Sequence, residues 1–153
     1  QLNPEKRIWV EDENNTIGRL VVPKTLYLQM KNAPVVVADV PREQRVKKLA
    51  QEYCQTNPDL LREAVQRIQK RLGGLATKQA LEAIETGQME QMVDIVLHYY
   101  DKAYTHLLDA REPQQMVNVE LGLDDFASAV PELMKAAEKV KKQRKVAASK
   151  INS

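Results

Sequence analysis

APVVVADVPREQR, residues 33–45, decides the fold. Its centre, residues 35–40, is apolar almost throughout and rich in β-branched valine, the pattern of a strand covered on both faces, as in parallel sheets. Pro41 suits the first turn of a helix, and beyond it Val46, Leu49 and Tyr53 recur on one helical face. A buried strand feeding directly into a helix is the repeating unit of an α/β sheet.

Upstream of that unit, Ile8-Trp9-Val10-Glu11 reads as another short buried strand that ends in clustered acids, Glu11, Asp12 and Glu13. Pro23 and Lys24 open a short helix that reaches Met30. Downstream, Asn57 caps a third helix ahead of Pro58, with Leu61, Val65, Ile68 and Leu72 on its buried face and Gly73-Gly74 at its end. A fourth helix spans about 77–86 and stops at Gly87. A long fifth carries Met92, Val93, Val96, Leu97, Tyr100, Tyr104, Leu107 and Leu108 as its apolar stripe, and Pro113 closes the segment. Residues 116–121 form a third strand. Asp124 or Asp125 caps the last helix, and Pro131 lies in its first turns or kinks it.

The order of elements predicts an α/β fold with a parallel sheet and a helical insertion at about 57–111. Residues 1–134 make up the α/β part and residues 135–153 a basic C-terminal helix or tail. The five glycines include no GxxxxGK[ST] loop, although strand-acid and strand-arginine units are what follow such a loop. The first, phosphate-loop strand of the sheet is therefore expected to be missing from this chain. A preceding segment or a partner should fill the gap between the strands at 8–11 and 35–40.

At 153 residues and 43% hydrophobic, the chain is long enough and apolar enough for one folded domain, or a piece of a larger one. No apolar run is long enough for a membrane span, and the N-terminal QLNPEKR has no signal-peptide core. With Cys54 as its single cysteine it forms no internal disulfide. These features point to a cytoplasmic chain without a membrane partner. Gln1 in place of an initiator methionine points to a processed product or an excerpt. The net charge of +2 conceals an uneven distribution, because between positions 135 and 150 seven Lys or Arg residues stand against Glu138 alone. Such a tail suits phosphate contacts or a solvated helix end.

In open α/β sheets, chemistry collects at the carboxyl ends of the strands. Glu11 and Glu13 there are candidates for a general base or a magnesium anchor, although a polar turn would carry the same residues. Arg42 and Arg45, in the first turns of a helix, are candidates for holding a phosphate or diphosphate, and surface ion pairs are the plainer explanation. Arg67, Lys70 and Arg71 share one helical face by spacing and could follow a phosphate backbone. Tyr99 is freer to stack on a base than Tyr100 and Tyr104, which match the buried stripe. His98 and His106, eight positions apart, are about 12 Å apart along a helix, too far to share a metal. No metal site is expected among them, and Cys54 lacks the surroundings of a nucleophile.

Four segments in order, IWVEDENNTIGRLVVP, APVVVADVPREQRVKKLAQEY, RIQKRLGG and LHYYDKAYTHLL, together resemble the carboxyl-terminal half of the bacterial tRNA 2-selenouridine synthase family. The resemblance covers about residues 8–108 and is weaker through the last strand and helix. It implies the distal part of a P-loop kinase-like domain, preceded in the family by a rhodanese-like domain with the catalytic cysteine and by the phosphate loop. It also implies conversion of wobble 2-thiouridine in tRNA to 2-selenouridine through an S-geranylated intermediate, with geranyl diphosphate and selenophosphate as substrates. Glu11 and Glu13 match the family's paired acids, Arg45 its arginine after the next strand, and Arg71-Leu72-Gly73-Gly74 its helix end. Where the family commonly has a basic residue after the acids, this chain has Asn14-Asn15. On this reading the chain alone is an inactive part of a transferase. The residues also fit the distal half of a small-molecule P-loop kinase, or an RNA-binding module without chemistry.

Overall fold

The computed structural model describes residues 6–12, 14–122 and 126–151. Their elements are β1 (Thr16–Ile17), β2 (Leu20–Val21), α1 (Lys24–Asn32), β3 (Val35–Asp39), α2 (Arg42–Tyr53), α3 (Pro58–Arg67), α4 (Gln69–Leu72), α5 (Gly74–Glu85), α6 (Met89–Asp109), a 3-10 turn (Pro113–Gln115), β4 (Met116–Glu120) and α7 (Phe126–Ile151). The protein is α/β, mostly helical, with a small parallel sheet. β3 and β4 pair in parallel from Val35 opposite Met116 to Asp39 opposite Glu120. The helical block α2–α6 forms the crossover between them.

Residues 8–11 are a correction to the strand expected there. They carry no ladder, and Ile8, Trp9 and Val10 are each about half exposed. β-branched and aromatic content favours extended backbone, but a strand exists only where a neighbour accepts and donates its hydrogen bonds. Among the described residues, nothing pairs with this segment. A small antiparallel hairpin, β1–β2, follows instead. Gly18 takes its first turn position at φ 61°, and Arg19 stays at negative φ, the arrangement of a type II′ turn.

Asn57 caps α3 as its sequence predicts, accepting a hydrogen bond from the Asp59 amide at 2.8 Å with Pro58 in the first turn. The expected single helix to Leu72 is broken at Ile68, whose φ of −96° and ψ of 2° leave the helical region. α4 is one short turn beyond that break. Gly73, at φ 89° and ψ 155°, then redirects the chain into α5, which begins three residues before the expected start. That combination of dihedrals is essentially open only to glycine. Asp124 and Asp125, expected to cap the last helix, lie outside the described residues, and Pro131 sits inside α7 near its start.

Among the described residues, two separate cores result. The larger joins Ala50 of α2, Leu61 and Val65 of α3, Ala80, Ala83 and Ile84 of α5, and Met92, Val93 and Leu97 of α6, so the helical insertion shares one interior with α2. The smaller places Ala136 and Val140 of α7 on Val117, with Val36 and Val119 beside them, and covers one face of the sheet. The far half of α6 extends past the larger core. Tyr100 and Tyr104, expected to be buried, are 43% and 47% exposed, whereas Tyr99 is the more sheltered. Helical periodicity identified the stripe correctly, but the packing partners end before the stripe does.

Candidate functional site

Along β3 lies an open cleft of about 500 Å³. One side is the strand itself, and the other is the overhanging half of α6 through Tyr104, Leu107 and Leu108. Glu11, Asp12, Asp39, Arg45 and Asp101 supply its charged groups. Glu11 and Arg45, read from separate segments of sequence as candidate acid and candidate anion-binding residue, thus line one cavity. Glu13 lies outside the described residues. Asp12, its neighbour in the acid cluster, has a different role: both carboxylate oxygens bind Arg111, at 3.0 Å to Nε and 2.6 Å to Nη2.

Arg111 has only 4% of its side chain exposed. It also donates to the carbonyls of Lys31 and Ala33 at the end of α1, at 3.1 and 3.4 Å. One guanidinium therefore joins residues 11–12, the end of α1 and the entry to β4. The bidentate fork geometry of arginine is what makes this possible. Its planar group satisfies a partly buried carboxylate and the carbonyls at the end of a helix at once.

Arg42 and Arg45 converge on Asp101 of α6. Arg45 grips both oxygens, at 2.6 and 3.0 Å, and donates from Nε to the Val40 carbonyl at 3.1 Å. Arg42 reaches Asp101 at 2.9 Å, the Asp94 carboxylate at 2.8 Å and the Asp94 carbonyl at 2.6 Å. The Arg45 hydrogen bonds, and then the charges of Arg45 and Arg42, hold the Asp101 carboxyl below the usual carboxylate range against partial burial. The same bonds raise the Arg45 guanidinium above its ordinary value. An arginine has five N–H donors, so each guanidinium keeps two for another ligand. Nothing in the local sequence signals this network, because the arginines of α2 and the aspartates of α6 lie more than fifty positions apart and meet only through the packing of the two helices.

Arg67, Lys70 and Arg71 do not form one face, because the break at Ile68 turns α4 away from α3. Arg67 pairs with Glu63 at 3.1 Å. Lys70 lines a shallow concavity against α5 with Thr77 and Lys78. Arg71 alone turns toward α6, where it donates to the Tyr99 hydroxyl at 3.3 Å, a contact that raises its guanidinium value. Arg71 and Tyr99, singled out separately in the sequence, are therefore adjacent. In α7, Lys135, Lys139, Lys141 and Lys142 are exposed.

Among the described residues no three His, Cys, Asp or Glu side chains converge as a metal cage. Magnesium commonly uses only one or two carboxylates and completes its shell with water and phosphate oxygens. Glu11 and Asp39 are the cleft carboxylates that form no ion pair among the described residues. They fit such a minimal role. No described helix is long and apolar enough to cross a membrane.

A cleft beside a parallel strand, lined by acids and an arginine, lies on the kind of open α/β sheet that commonly binds ligands. The chain belongs to the tRNA 2-selenouridine synthase AAA domain family, whose model matches residues 1–130. It is 33% identical over 114 residues to a tRNA 2-selenouridine synthase of Sulfurovum sp. (strain NBC37-1), covering 64% of this chain and 31% of the relative. To the proteins of that name in Psychromonas ingrahamii and Shewanella woodyi it is 28% and 27% identical, over 67% and 73% of this chain and 36% and 38% of each relative. The chain thus spans about a third of the length of these curated relatives. No solved structure matches it.

Proposed function

We propose that this chain is the distal part of the P-loop kinase-like domain of a tRNA-modifying transferase that converts wobble 2-thiouridine to 2-selenouridine through an S-geranylated intermediate. The observation that carries the reading is the lining of a single cleft by Glu11 and Arg45 at the strand edge of a domain in this family. In the geranylation step the uridine sulfur attacks the first carbon of geranyl diphosphate, and diphosphate leaves with its bonding pair. The two remaining N–H groups on Arg45, which lines the cleft, suit the oxygens of that leaving group, and Arg42, which lines the adjoining groove and shares Asp101 with Arg45, has two more to offer from its side. Glu11, with Glu13, serves as a base or as an anchor for magnesium, which when bound would neutralise part of the diphosphate charge. The apolar cleft wall of Tyr104, Leu107 and Leu108 suits a prenyl chain. Selenophosphate is the second substrate, and it reacts after geranylation.

Contacts to tRNA are assigned to Arg67, Lys70, Arg71 and Tyr99 and to the basic stretch of α7. The rhodanese-like and phosphate-loop segments of the whole enzyme complete the active centre, and the place of action is the cytoplasm, where tRNA is modified. The test uses the intact protein and geranyl transfer to 2-thiouridine tRNA. Glu11→Gln, Glu13→Gln and Arg45→Gln are each compared with wild type after a check of folding by circular dichroism. At least a tenfold loss of turnover is expected in Arg45→Gln and in one of the Glu variants. Wild-type turnover in all three would remove the cleft from the mechanism.

A further inference from the structure

α6 carries a second feature next to the strand-edge cleft, where it faces α4 and α5. Ile95, His98, Tyr99 and Lys102 recur at spacings of three and four, and together they form one wall of a groove of about 390 Å³. The other wall is Arg71 and Leu72 of α4, with the start of α5 beneath. That volume lies within the usual range of small-molecule sites, about 300–1,000 Å³.

The charges in the groove are unequal. Arg42 at one end is neutralised by Asp94 at 2.8 Å. Arg71 touches only the phenol oxygen of Tyr99, and among the described residues neither it nor Lys102 nor His98 forms an ion pair with a carboxylate. On α2 and α3, Lys47, Lys48, Arg62 and Arg67 are each matched to an acid three or four positions away, whereas Lys70 and Lys78 of α4 and α5, like the groove cations, form no ion pair among the described residues. The groove therefore presents two uncompensated cations and an imidazole beside the apolar side chains of Leu72 and Ile95 in its walls. Tyr99 stands between them, its ring fixed against Tyr100 at a centroid separation of 5.1 Å. A ligand that satisfies this arrangement has an anionic group for the rim and a flat, largely apolar ring for the aromatic wall.

We infer that the groove is a subsite for one nucleotide of a single-stranded stretch of RNA. The phosphate lies between Arg71 and Lys102, His98 donates a hydrogen bond to it, and the base stacks on Tyr99. This rests on the reading of the chain as part of a tRNA-modifying enzyme, and it adds His98 and Lys102 to the residues assigned to RNA. It also separates Arg71 from Arg67 and Lys70, which face elsewhere. A free nucleoside monophosphate has the same chemistry, so the experiment must distinguish strand from monomer.

The intact protein is titrated with fluorescent hexauridylate at several salt concentrations, and separately with tRNA. Lys102→Gln, at an exposed position, should weaken hexauridylate binding and flatten the slope of log affinity against log salt by about 0.7, the value for one phosphate contact on a single strand. Tyr99→Leu, which keeps an apolar side chain, should weaken it roughly tenfold. Lys48→Gln, on α2 and outside the groove, should change neither quantity. Wild-type affinity and slope in both groove variants would overturn the subsite, while retained tRNA binding would leave the enzyme reading standing. Failure of the unaltered protein to bind either RNA would overturn both. If uridine 5′-monophosphate displaces hexauridylate at concentrations equal to those of the oligomer itself, the strand assignment is wrong and the groove holds a free nucleotide.

Discussion

Asp12 and Arg111, 99 positions apart in the chain, meet in a two-pronged ion pair that is the most buried charged contact among the described residues. Removing the guanidinium leaves the Asp12 carboxylate and the Lys31 and Ala33 carbonyls without their donor. Breaking a buried pair from one side costs about 3–5 kcal/mol, and less where one partner remains partly wetted, as Asp12 does. Arg111→Met should therefore destabilise the protein by about 2–3 kcal/mol, a fall of roughly 4–12 °C in melting temperature. Arg111→Lys should recover only part of this, because an ammonium cannot reproduce the fork. Thermal unfolding of both variants checks the prediction, and equal stability of Arg111→Met and wild type would contradict it.

Asp101 ties α6 to the start of α2. Its carboxyl is held below the ordinary range in the folded protein, so the unfolded chain binds the proton more readily. The stabilisation is then fully present above the ordinary carboxylate range and is lost as pH falls through the depressed folded value. Asp101→Asn should cost about 1–2 kcal/mol at neutral pH and much less in acid. Urea unfolding at pH 7 and at pH 3 measures the difference. A deficit of the same size at both would show that the carboxylate charge contributes nothing.

Gly73 holds dihedral angles that side chains with a Cβ rarely adopt, although nothing lies within 4 Å of where that Cβ would be. The cost of Gly73→Ala is therefore conformational, on the order of 1–3 kcal/mol. It should also shift Arg71 relative to Tyr99, because Gly73 sets the exit from α4. Denaturant unfolding gives the cost, and a neutral result would mean that α4 and α5 can join by another route.

Asn57→Ala should cost about 1 kcal/mol through loss of the side-chain cap on α3. Asn57→Gly should cost only a few tenths of a kcal/mol. Melting curves of the two variants, compared side by side, test the cap itself.

Ile8, Trp9 and Val10 are each about half exposed, and the cleft along β3 is lined by Tyr104, Leu107 and Leu108. Residues 1–153 expressed alone should therefore bind a hydrophobic dye and associate as concentration rises. Light scattering and dye fluorescence record both. A monomer without dye binding at high concentration would show that this apolar surface is closed in solution.

The elements that the sequence specified by itself are those whose signals are local. Valines running into Pro41 gave β3 and α2, Asn57-Pro58 gave the start of α3, and Gly87 marked the gap between α5 and α6. Spacing of three and four likewise identified Leu61, Val65, Met92, Val93 and Leu97 as core, because a helix repeats its contacts within a turn. Tertiary structure decided the rest. Residues 8–11 have strand composition, yet a strand requires a partner from elsewhere. Tyr99 and Tyr100 are adjacent in sequence, and only the extent of the neighbouring helices settles which is sheltered. Arg42 and Arg45 find Asp94 and Asp101 more than fifty positions away, and Arg111 finds Asp12 across almost a hundred. Such pairs are set by how whole elements pack, and no local spacing encodes them.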